Sequence, residues 1–133
     1  MLCADECNYS HKNILLIHHV NIQVPQKSVA EYVEFYRLLG FVELNLPPTM
    51  ASRATWLRVG QAELHLEYSE PGVELSVNGG HFAVVVADYE AVVARLSEHG
   101  FSVEPRQEHW GTPRSFVRDP GGNQVELTAP PEQ

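Results

Sequence analysis

The chain has no apolar run approaching the roughly 20 residues that a membrane-spanning helix needs, so a membrane partner is not expected. It has only two cysteines, Cys3 and Cys7, both close to the start. With His11 they could ligate a metal, although a thiol-bearing tail is the plainer reading. Basic residues are scarce: 9 Lys and Arg stand against 17 Asp and Glu, for a net charge of −8. That balance lacks the electrostatic footprint of a nucleic-acid partner. An acidic surface keeps the chain soluble and favours cationic ligands. No basic segment followed by an apolar one opens the sequence, so no secretion signal is read and a cytoplasmic location is expected. Apolar content of 44% is that of an ordinary soluble globular chain.

What the sequence does have is a repeat. Two halves spell one pattern about sixty residues apart. The first runs from His18-His19-Val20-Asn21-Ile22 through a helix ending Leu39-Gly40-Phe41 to Trp56-Leu57-Arg58 and Glu63-Leu64-His65-Leu66. The second runs from Gly80-His81-Phe82-Ala83-Val84 through a helix ending His99-Gly100-Phe101 to Phe116-Val117-Arg118 and Gln124-Val125-Glu126-Leu127. His19 then matches His81, Trp56 matches Phe116, and His65 matches Glu126. A repeat that keeps metal-capable residues in register points to a site built where two copies meet.

The hydrophobic period gives each half the order βαβββ. In the first, a strand over 14–24 is polar on its second face although it carries no obvious edge signal. Pro25 stops it, and Ser28 with Glu31 reads as a capping box. Val29, Val33 and Tyr36, with Tyr32 and Leu39, form the apolar stripe of a helix ended by Gly40. Strands follow near 41–45, 53–59 and 62–68, the last two joined by a Gly60-Gln61 turn. In the second, strand 80–87 precedes a helix over 88–99 capped by Asp88. Strands near 101–105, 113–118 and 124–128 complete it, with a turn at Asp119-Pro120-Gly121-Gly122. The predicted organisation is a tail at 1–12, a first module at 13–68, a linker at 69–79 and a second module at 80–133. Neither module, at about 55 residues, buries a comfortable core alone, so the two are expected to form one domain.

Strand alternation sorts the candidate site residues. His19 travels with Asn21 and Gln23, His65 with Glu63 and Glu67, Glu126 with Gln124 and Thr128, and His81 with Ala83 and Val85. All lie opposite the helix-packed face, on which this register puts His18. Trp56 and Phe116 either wall a cavity or pack in the core. Arg114 suits a substrate carboxylate or phosphate, or a surface ion pair. Trp110 sits in a mixed aromatic and polar loop, 106–113, of a kind that can touch substrate or simply cover the surface.

Four segments, Ile17-His18-His19-Val20, Tyr36-Arg37-Leu38-Leu39-Gly40-Phe41, His81-Phe82-Ala83-Val84 and Asp119-Pro120-Gly121-Gly122-Asn123-Gln124-Val125-Glu126-Leu127, resemble the vicinal oxygen chelate superfamily. That superfamily includes glyoxalase I, extradiol dioxygenases, methylmalonyl-CoA epimerase and the fosfomycin and bleomycin resistance proteins. The resemblance implies an α+β fold in which two βαβββ modules form an open, cupped, barrel-like sheet around one divalent metal: iron, nickel, zinc, cobalt or manganese. It implies metal ligands at His19, His65, His81 and Glu126, with Glu126 also able to act as a base. It further implies a small-molecule substrate held through two adjacent oxygens, lyase, isomerase or dioxygenase chemistry, and a homodimer whose site lies within one chain or is shared between two. Trp56, Phe116, Arg114 and Trp110 are the expected substrate contacts. Histidine at 65 departs from glyoxalase I, which generally carries glutamate there. His65 is therefore a fourth ligand, a hydrogen-bonding neighbour of the ligands or a substrate contact. A metal-free, drug-sequestering protein of the bleomycin-resistance type is the competing function, and fosfomycin-type thiol transfer a third. On this reading Glu126→Ala removes tight metal binding and spares the fold, whereas His18→Ala leaves binding nearly unchanged.

Overall fold

The structure, a computed structural model, describes residues 14–77 and 79–131. Cys3, Cys7 and His11 lie outside the described residues. The first half contains β1 (His19–Val24), α1 (Val29–Leu38), β2 (Val42–Glu43), β3 (Ala54–Val59) and β4 (Ala62–Tyr68). The second contains β5 (His81–Val85), α2 (Tyr89–Glu98), β6 (Val103–Arg106), β7 (Arg114–Arg118) and β8 (Gln124–Thr128). Each half is βαβββ and forms a four-stranded sheet of mixed direction, ordered β1-β4-β3-β2 and β5-β8-β7-β6. The first strand runs parallel to the last, and the remaining pairs are antiparallel. The two sheets do not close, and the architecture is the open, cupped α+β fold expected. No helix among the described residues is long and apolar enough to cross a membrane.

The repeat holds at the level of strand register. Trp56 pairs with His65 across β3 and β4, and Phe116 pairs with Glu126 across β7 and β8. His19 pairs with Glu63 where His81 pairs with Gln124, and Asn21 with His65 where Ala83 pairs with Glu126.

Three local expectations are corrected. The first strand begins at His19 rather than residue 14, because pairing with β4 starts at His19 and Glu63. Just before Ala62 the chain turns at Gly60, whose φ is +57°, so β4 has no backbone to offer residues ahead of His18. Ile14, Leu15 and Ile17 are accordingly exposed. β1 is also an edge strand, as is β5, and the polar second face of β1 is its exposed one. The capping box at Ser28 does not form. A 3-10 turn over Gln26–Ser28 leads into α1 and leaves Ser28 at φ −110°, ψ 3°, outside the extended backbone a capping serine adopts. Asp88 does cap α2, its carboxylate accepting from the Ala91 amide at 3.2 Å.

One core unites both halves. Its centre is α1, where Phe35, absent from the expected stripe, is fully buried beside Tyr36. Phe35 meets Phe101 edge-on at 4.8 Å, and Tyr36 stacks near Phe82 at 6.4 Å. Arg95 of α2 donates to the Leu38 carbonyl at the end of α1 at 3.0 Å. The Tyr36 hydroxyl donates to buried Asp119 Oδ2 at 2.7 Å, tying α1 to the β7–β8 turn. That carboxylate also accepts from the Gly121 amide at 2.9 Å, the Asn123 amide at 2.9 Å and the Asn123 side-chain amide. The turn approaches α1 so closely that a Cβ at Gly121 would lie 2.1 Å from the Tyr32 hydroxyl oxygen. Tyr32 is itself buried, so its ring must shift to admit the methyl group. Gly121→Ala is therefore expected to cost about 1–3 kcal/mol, read as a lowered urea midpoint with unchanged slope.

Candidate metal centre in two halves

In the first sheet, period-two alternation puts His19, Glu63 and His65 on the face away from the helices, and β3 adds Trp56. The His65 ring lies between two others, parallel to Trp56 at 4.1 Å and 7° and to His19 at 3.9 Å and 14°. This stack removes His65 from solvent. Its Nε2 lies 2.9 Å from Glu63 Oε1, and that hydrogen bond is the main cause holding the Glu63 carboxyl below its ordinary pKa. Burial first, then the neighbouring His65 and His18, lowers the pKa of His19 and favours neutral imidazole, the form that ligates metals. His18 is not on the helix-packed face. It precedes β1, so strand alternation does not govern it, and its exposed ring sits with Nδ1 3.0 Å from His19 Nδ1.

In the second sheet, β5 and β8 bring His81 Nε2 to 3.1 Å from Glu126 Oε1. Glu126 is buried and its carboxylate is gripped from the other side by Arg114, through Nε to Oε2 at 3.0 Å and Nη2 to Oε1 at 3.3 Å. That two-pronged contact is the leading cause of the lowered Glu126 pKa. Arg114 thus makes an ion pair, but not at the surface: its side chain is only 10% exposed. Phe116 lies 4.9 Å from the His81 ring and 5.2 Å beneath the Arg114 guanidinium. Trp110, 5.8 Å from the same guanidinium, donates through Nε1 to Thr128 Oγ1 at 3.3 Å.

The expected residues therefore gather as two sets, His19 with His65 and Trp56, and His81 with Glu126, Arg114, Phe116 and Trp110. Among the described residues, no three His, Cys, Asp or Glu side chains come together to hold a metal ion. The donor chemistry nevertheless suits one. Two donors bound at right angles to a metal about 2.1 Å away stand about 3 Å apart, which is the spacing of His81 Nε2 and Glu126 Oε1. Sequence reasoning missed two partners here, Glu63 for His65 and Arg114 for Glu126. Both were readable from register: residue 63 shares a strand face with 65, and residue 114 is a diagonal neighbour of 126.

The model of the Glyoxalase/Bleomycin resistance protein/Dioxygenase superfamily matches residues 16–127, and the chain belongs to that superfamily. Its fold is similar to that of a glyoxalase family protein from Bacillus anthracis, with a TM-score of 0.80 and 24% identity over 90% of this chain and 98% of that one. A glyoxalase/dioxygenase from Nostoc punctiforme gives a TM-score of 0.73 and 19% identity over 90% and 94% of the two chains. Lactoylglutathione lyase from Agrobacterium tumefaciens gives 0.67 and 20% over 89% and 96%. At these identities the likeness is one of fold. No curated protein matches the chain.

Proposed function

We propose that this chain is a metal-dependent enzyme of the superfamily, with one divalent ion held by His19, His65, His81 and Glu126 where two chains of a homodimer meet. The observation that carries the reading is the paired placement of imidazole and carboxylate donors at equivalent positions of the two halves, on faces left open at edge strands. β1 exposes His19, Asn21 and Gln23, and β5 exposes His81, Ala83 and Val85. A two-fold dimer would set the β1 face of one chain against the β5 face of the other, twice over. This arrangement supplies the donors that neither half has alone.

A bound divalent ion of this class would polarise a carbonyl or a pair of adjacent substrate oxygens. The chain's own residues do the rest. Arg114 holds Glu126 ionised and fixed in direction. Trp56 and Phe116 wall the two half-sites with apolar rings, and Trp110 with Arg114 offers a polar and aromatic rim to a small substrate. Iron in the purified protein would point to oxygen insertion; nickel, zinc, cobalt or manganese would point to lyase or isomerase chemistry.

Mixing two defective chains tests the reading. His19→Ala and Glu126→Gln each are expected to bind no cobalt tightly. Unfolded and refolded together, they form mixed dimers in which one site carries both changes and the other carries neither, so uptake returns in part. No recovery on mixing, with mixed dimers confirmed by mass, would place the donors within one chain. A wild-type protein that takes up no metal would remove the enzyme reading. One observation favours the competing function, a metal-free small-molecule binder: Arg114 already supplies a positive charge to both Glu126 oxygens.

A further inference from the structure

We infer that Glu63 is a further ligand of this centre and the carboxylate of its first half; the inference rests on the metal-site reading above. By strand register, His65 stands where the second half has Glu126, and Glu63 stands where the second half has Gln124. A comparison of equivalent positions therefore finds a carboxylate in only one half. The side chains tell a different story. Each half holds an imidazole Nε2 beside a carboxylate Oε1, at 2.9 Å for His65 and Glu63 and at 3.1 Å for His81 and Glu126. The first pair comes from a single strand, two residues apart on one face, and the second pair from neighbouring strands.

Glu63 is also the freer of the two carboxylates. Among the described residues its one ion-pair partner is His65, and its Oε2 accepts no hydrogen bond, whereas Glu126 has both oxygens engaged by Arg114. It is not an ordinary surface glutamate. Its side chain is 18% exposed, it contacts His65 Nε2, and its Cα is paired with that of His19 on the neighbouring strand. A hard, anionic oxygen donor beside an imidazole suits the middle of the first transition series. With Glu63 included, the donor set carries two negative charges and balances a divalent ion.

The test is cobalt binding by Glu63→Gln, which keeps the shape and an acceptor for His65 Nε2–H but loses the charge. Expected is a cobalt Kd raised on the order of 100-fold, with thermal midpoint and dimer mass unchanged. Infrared spectra with labelled glutamate are expected to show two carboxylate bands moving on cobalt addition in the wild type and one in Glu63→Gln. An unchanged Kd and unchanged bands in Glu63→Gln, with the wild type binding normally, would overturn the role of Glu63 alone. A wild-type chain that takes up no cobalt would overturn this inference together with the metal-site reading.

Discussion

Asp119→Ala is expected to lower stability by about 3–4 kcal/mol, and the midpoint of thermal unfolding by on the order of 10 °C or more. Asp119 is only 4% exposed, and its carboxylate is the common acceptor for the Tyr36 hydroxyl, the Gly121 and Asn123 amides and the Asn123 side chain. Removing it leaves the Tyr36 hydroxyl without an acceptor inside the core and unties the β7–β8 turn from α1. The two consequences can be separated. Tyr36→Phe removes only the link to α1 and keeps the turn, so its expected cost is about 1–2 kcal/mol. An Asp119→Ala variant no less stable than Tyr36→Phe would show that the turn bonds contribute nothing.

The same pair sets an alkaline limit. Burial, and then the charge and hydrogen bond of Asp119, raise the Tyr36 pKa far above its ordinary value of 10.0. The unfolded chain therefore loses this proton at a lower pH than the folded one. A group with a raised folded pKa contributes stability that is complete below the unfolded value and declines as pH rises past it. The urea midpoint of the wild type is expected to fall between pH 9.5 and 11. The fall should be shallower in Tyr36→Phe, although not absent, because burial and Asp119 raise Tyr32 as well.

The repeat made the architecture readable, since period and turn residues locate each strand without tertiary information. Gly40 and Gly100, at φ +104° and +87°, end both helices where expected, and β8 spans the expected residues. Two of the misses share a cause: the deciding partner is remote in sequence. The start of β1 is set by where β4 begins, and the burial of Phe35 by Phe101 on the other module. The candidate donor residues were legible as a set on one face of each sheet. They were not legible as two separate halves, because alternation assigns a face and says nothing of how far apart two sheets stand. Nor does alternation say which charged groups meet. Arg114 read as a surface ion pair sooner than as a substrate clamp, and only the diagonal register of β7 and β8 puts it on Glu126.

That contact changes what Glu126 substitutions are expected to do. On sequence grounds Glu126→Ala would spare the fold. In the structure it strands a guanidinium whose side chain is 10% exposed, since the remaining hydrogen-bond acceptor of Arg114 among the described residues is the Gln107 carbonyl at 2.8 Å. Breaking a buried pair from one side is more damaging than replacing both members with apolar groups. Glu126→Leu is therefore expected to lower the thermal midpoint by on the order of 10 °C, and Arg114→Met with Glu126→Leu to recover much of that loss. Arg114→Met alone should fall between them, because Glu126 keeps His81 as a partner. Acid unfolding supplies a second readout. The Glu126 pKa is held below its usual 4.5, chiefly by Arg114, so its contribution is present above that value and is lost as pH falls through the folded one. Relative to wild type, Arg114→Met should lose less stability on acidification, and the double variant should lose none from this pair. If the double variant is no more stable than Glu126→Leu, the Arg114–Glu126 contact is not what makes residue 126 intolerant of change. Metal binding must then be compared in Glu126→Gln, which retains an oxygen for Arg114, so that loss of a ligand is not confused with loss of the fold.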